Sequence, residues 1–167
     1  MKKDLKILIS IIISLAIGYV GYNYYKNTYV VKDYTMLPEF TLKDLNGDSF
    51  TRENMPTDKV KIIIYYNGEC EHCQYQAKQI QESIDSFNDV QLLFISYQET
   101  ELIKEFATSY NFLERQNITF LEDKRLDLVS TFNIKAFPFI LIYSPENKLI
   151  EKFEGPTEIE KIVSIID

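Results

Sequence analysis

A chain of 167 residues, 46% hydrophobic and 26% charged, has the composition of one globular domain with appendages and excludes a disordered or repetitive protein. The formal net charge of −7 hides an asymmetry, because residues 34–167 hold 13 basic and 23 acidic side chains, a net of −10. A field of that sign repels nucleic acid and anionic headgroups, so nucleic acid is not an expected partner.

Lys2, Lys3 and Lys6 precede an uncharged run of 19 residues, Ile7 to Tyr25, close to the roughly 20 that cross a bilayer as a helix. The leading lysines hold that end in the cytoplasm, and Tyr19, Tyr22, Tyr24 and Tyr25 fall where an interfacial aromatic belt belongs. Residues 1–25 are therefore expected to be a single-pass anchor in the cytoplasmic (inner) membrane, with an extracytoplasmic C-terminal domain. The competing reading is a cleaved signal peptide, with Ala16-Ile17-Gly18 as a small-x-small site; a buried core helix is a third. A lipoprotein is excluded, since no cysteine follows the run. Both leading readings export the domain into a compartment where disulfide chemistry operates. Residues 26–36 read as a linker, and the folded domain is expected over 37–167.

Within it, Glu39–Leu42 and Ser49–Thr51 flank Asn46-Gly47, a two-residue hairpin signal. Lys59–Tyr66 is rich in β-branched and aromatic residues, as a buried central strand should be. Asn67-Gly68 breaks it. Ala77, Ile80, Ile84 and Phe87 recur at helical spacing from Cys73 onward. Val90–Tyr97 reads as a second buried strand. Glu99–Tyr110 reads as a helix with Leu102, Ile103, Phe106 and Tyr110 on one face. A short strand over Ile118–Leu121 and a short helix over Leu126–Phe132 follow. Phe139–Tyr143 and Leu149–Phe153 form a terminal strand pair, and Thr157–Ile166 a closing helix with Thr157 as N-cap. Strands alternating with helices imply a three-layer sandwich.

The chemistry concentrates in Glu69-Cys70-Glu71-His72-Cys73, the only two cysteines of the chain at the start of a helix, just past the carboxyl end of a buried strand. Reactive groups in open α/β sheets collect there. Unpaired N–H groups at the helix start favour a thiolate at Cys70, and Cys73, one turn inward, can resolve. His72 pulls toward a more oxidising disulfide, whereas Glu69 and Glu71 oppose the thiolate by like charge. A metal centre is not expected: three ligands within four residues cannot wrap a tetrahedral ion, and His72 is the only histidine. Haem attachment needs a histidine after the second cysteine, where Gln74 stands. Two inert cysteines and a solvated His72 without redox role are the bland alternatives.

With the strand–CxxC–helix unit, the opening Leu37-Pro38-Glu39-Phe40-Thr41-Leu42 and the later stretch Phe132-Asn133-Ile134-Lys135-Ala136-Phe137-Pro138, residues 37–167 resemble the thioredoxin superfamily. In detail they look like its membrane-anchored TlpA/ResA-type branch, which borders on the peroxiredoxins. The resemblance implies a thioredoxin-like α/β/α sandwich with an N-terminal β-hairpin, preceded by one transmembrane helix. It implies that Cys70 attacks and forms a mixed disulfide with a partner, and that Cys73 resolves it. Pro138 would be a cis-proline opposite the pair, the Phe137 backbone binding the substrate strand. No cofactor beyond the Cys70–Cys73 disulfide is implied. The sequence departs from the family pattern at Glu69, where an aromatic residue is usual. It also departs at Ile64 and Gln76, the two places where a carboxylate assists the resolving cysteine.

The leading expectation is an extracytoplasmic disulfide reductase for exported proteins, for example in cytochrome c maturation, re-reduced by a membrane electron donor. The alternative is a disulfide oxidase or isomerase, handing electrons to a membrane acceptor and favoured by His72. A thiol peroxidase would want a threonine where Asn67 stands, and a copper-delivery module a distal histidine that the chain lacks.

Overall fold

The computed structural model describes residues 9, 12–22 and 35–166, and the chain divides into two compact units, residues 1–32 and 33–167. In the first, residues 12–22 form helix α1, with Ile12, Leu15, Ile17 and Val20 exposed. Among the described residues no helix is long and apolar enough to cross a membrane. The expected transmembrane helix is thus not found. Part of the run to which it was assigned, and most of the linker, lie outside the described residues.

The second unit is a seven-stranded sheet in the order β2-β1-β5-β4-β3-β6-β7. Strands β1 (Thr41–Asp44) and β2 (Ser49–Thr51) form the expected hairpin. Its tip turns at Gly47, whose φ of 85° suits glycine. Strands β3 (Val60–Tyr65), β4 (Val90–Ser96) and β5 (Ile118–Glu122) run parallel at the centre. Strands β6 (Phe139–Tyr143) and β7 (Leu149–Glu154) add antiparallel to β3.

Helix α2 (Glu71–Glu82) carries the chain from β3 to β4, and α3 (Thr100–Ser109) from β4 to β5. Both crossovers step the same way along the sheet, so right-handedness puts both helices on one face. The closing helix α5 (Ile159–Ile166) joins them, while α4 (Asp127–Phe132) covers the other face. Alternation along β3 feeds the two cores. Ile62, Ile64 and Tyr66 pack with α2, α3 and α5, whereas Ile63 and Tyr65 pack with Leu37, Leu128 and Phe132. The expected α/β/α sandwich with its hairpin is the observed architecture.

Two expectations need correction. The closing helix begins at Ile159, so Thr157 is not its cap; its hydroxyl donates to the Gly155 carbonyl at 3.3 Å. Leu102 is 45% exposed, and the buried side chains of α3 are Ile103, Phe106 and Ala107. Strand β3 also buries Lys61, whose ammonium reaches the Pro145 carbonyl at 2.7 Å. Desolvation lowers its pKa.

Candidate active site

The loop leaving β3 is fastened residue by residue. Tyr66 N–H donates to the Ile95 carbonyl at 2.9 Å, continuing the β3–β4 ladder one step past the strand. The Gly68 amide donates to the buried Gln98 side chain at 2.6 Å, and a Cβ at residue 68 would stand 3.2 Å from that same oxygen and 3.4 Å from Phe106. The Asn67 side chain accepts from the Glu69 amide and donates to the Tyr97 hydroxyl, both at 2.8 Å. Gln74, on the first turn of α2, returns a bond to the Gly68 carbonyl at 2.8 Å.

This loop delivers Cys70 as the N-cap of α2, in extended conformation, with the Cys73 and Gln74 amides donating to its carbonyl at 2.9 and 3.0 Å. Its thiol, half-buried, lies beside the helix start, where backbone N–H groups and the dipole favour negative charge. Cys73 is 2% exposed. Burial pushes its thiol up to about 12, opposed by a hydrogen bond from the Asn67 amide and reinforced by the Cys70 thiol against it. Both cysteines are free thiols. The attacking position is therefore accessible and the resolving position sealed.

Glu69, Glu71 and His72 are exposed around the pair. Phe137 and Pro138 lie at the same end of the sheet, because Phe139 pairs with Tyr65, the last residue of β3. The Phe137–Pro138 peptide is cis, and the Pro138 carbonyl accepts from the Gly155 amide at 2.8 Å. The Phe137 ring stacks on Tyr65 at 5.8 Å and meets Tyr97 at 6.1 Å. The structure thus gathers Cys70, Cys73, Phe137 and Pro138 at one end of the sheet. Among the described residues no three His, Cys, Asp or Glu side chains are placed to hold a metal ion.

Sequence reading alone missed Tyr66, Asn67, Tyr97, Gln98 and Asp123. The carboxyl of Asp123, 1% exposed, accepts from the Tyr65 hydroxyl and from the Asp127 and Leu128 amides, each at 2.9 Å. It caps α4 and steadies the ring under Phe137. Asp123 had a local signal, an acid just past an apolar strand and ahead of a short helix. Gln98 had none.

No curated protein sequence is similar enough to this chain to count as a relative. Solved structures share the fold at low identity. The thioredoxin domain of a thiol-disulfide oxidoreductase from Bacteroides vulgatus is 18% identical with a TM-score of 0.65, covering 79% of this chain and 96% of that one. StoA from Bacillus subtilis is 15% identical at a TM-score of 0.62, covering 78% and 97%. The peroxidoxin BcpB from Mycobacterium tuberculosis is 14% identical at 0.67, covering 78% and 93%. These likenesses establish the thioredoxin-like fold. The AhpC/TSA family model matches residues 35–155, and on that match the chain belongs to the AhpC/TSA family.

Proposed function

We propose that this protein is a thiol–disulfide oxidoreductase that reduces disulfides of exported proteins through Cys70 and Cys73. The observation that carries the reading is the asymmetry of the pair, one thiol half-exposed at a helix N-terminus and the other sealed one turn inward. Cys70 thiolate attacks one sulfur of a partner disulfide, forming a mixed disulfide and releasing a partner thiolate. Cys73 gives its proton to water and attacks Cys70. The Cys70–Cys73 bond forms, the second partner thiolate leaves, and two electrons have passed to the partner. A membrane electron donor returns the two electrons. Phe137 and Pro138 are proposed to bind the substrate strand, with Glu69, Glu71 and His72 tuning the potential.

Peroxidase chemistry is disfavoured by Asn67, whose side-chain oxygen and nitrogen are both engaged by Glu69 and Tyr97. The test is trapping. A Cys73→Ala variant should accumulate a mixed disulfide with a disulfide-bonded partner through Cys70, visible by mass spectrometry, and Cys70→Ala should not. Equal trapping by both variants would overturn the assignment of roles.

A further inference from the structure

Tyr66 follows β3 on the face that packs against α2. Its ring lies 4.3 Å from Phe106, 5.8 Å from Phe94 and 6.5 Å from Phe120, in the same buried cluster as Cys73. The residue is 1% exposed, yet its hydroxyl has no hydrogen-bond partner among the described residues. A buried hydroxyl left unmatched opposes folding, so its retention calls for a role outside the resting state. The backbone next to Tyr66 already acts on that cysteine: a hydrogen bond from Asn67 lowers the Cys73 pKa against its burial. Burial above all, and then the charge of a Cys73 thiolate, disfavours ionisation of the Tyr66 phenol.

Resolution requires charge on Cys73 in a place that resists it. The titratable group acting on that sulfur is the Cys70 thiol, and the sulfur in turn acts on the Tyr66 phenol; Glu69, Glu71 and His72 are exposed, and α5 presents Ile159 and Ile162 to the same core. No carboxyl stands among the groups acting on Cys73, since the candidate positions are occupied by Ile64 and Gln76. We propose that the Tyr66 hydroxyl, together with the Asn67 amide, donates a hydrogen bond to the Cys73 thiolate as it forms in the mixed disulfide. A donor to the charged form lowers the thiol's pKa and so supplies by stabilisation what a general base would supply by proton removal. This deepens the assignment of Cys70 and Cys73 above and rests on it.

The test reads the two steps separately. The reduced full chain is mixed with excess 5,5′-dithiobis(2-nitrobenzoate), which releases one thionitrobenzoate when Cys70 is capped and a second when Cys73 displaces the cap. Tyr66→Phe should leave the first phase unchanged. It should slow the second about tenfold near neutral pH and move its pH midpoint up by about one unit, as loss of one bond to a charged group implies. Its thermal midpoint should match or exceed the parent's. An unchanged second phase and pH profile would overturn the proposal. Should Tyr66→Phe fold poorly, 3-fluorotyrosine at position 66, a stronger donor of nearly the same shape, should move the midpoint down; no movement would overturn it equally. A parent chain that releases only one thionitrobenzoate would instead refute the paired-cysteine reading itself.

Discussion

The Tyr65 hydroxyl donates to Asp123 across 2.9 Å and 58 residues of chain, with both side chains 1% exposed or less. The bond joins the carboxyl end of β3 to that of β5 and supports the aromatic stack of Tyr65 on Phe137. Replacing Asp123 by alanine leaves a buried hydroxyl and two helix-start amides without their acceptor. Asp123→Ala should lose about 2–4 kcal/mol in denaturant unfolding. A loss below about 0.5 kcal/mol would show that the network does not brace the site.

Gly68 is required by close approach, not by its backbone angle. A Cβ there meets the Gln98 oxygen that accepts the Gly68 amide and the ring of Phe106. Gly68→Val should cost about 1–3 kcal/mol and slow capping of Cys70, because the displaced loop carries that cysteine. Calorimetry and thiol-modification kinetics check the two halves. Full stability with full reactivity would contradict the packing argument.

The buried Cys73 thiol gives the reduced protein an alkaline dependence with a definite sign. Its folded pKa is raised from 9.0 to about 12, so over that window the folded state keeps a proton that the unfolded chain releases. The stability so contributed is complete below about pH 9 and is lost as pH rises toward 12, at up to about 1.4 kcal/mol per pH unit. Urea midpoints of the reduced parent should fall with pH more steeply than those of Cys73→Ala. Parallel curves would mean that Cys73 is not sealed.

The hairpin, the central strands and the CxxC helix were legible because each is written locally, as Asn46-Gly47, as β-branched runs, and as a cysteine spacing at a strand–helix junction. The grip on the loop was not. Gln98 bonds Gly68 across 30 residues, and nothing in the Gln98 neighbourhood announces it. Tyr66 looked like one more aromatic in a strand until the sheet buried it in the core that also holds Cys73. Thr157 was misread because a threonine two residues before the helix is locally indistinguishable from a cap, and its hydroxyl is taken by Gly155.

The central claim is that Cys70 and Cys73 form one reversible dithiol–disulfide couple, poised to give electrons. Equilibrating the full chain with dithiothreitol or glutathione redox buffers and counting free thiols measures that couple. The account predicts a single two-electron transition near or below about −250 mV, on the reducing side of the thioredoxin-like scale. A couple near or above about −150 mV would contradict the reductase direction, and no reversible couple at all would contradict the oxidoreductase itself.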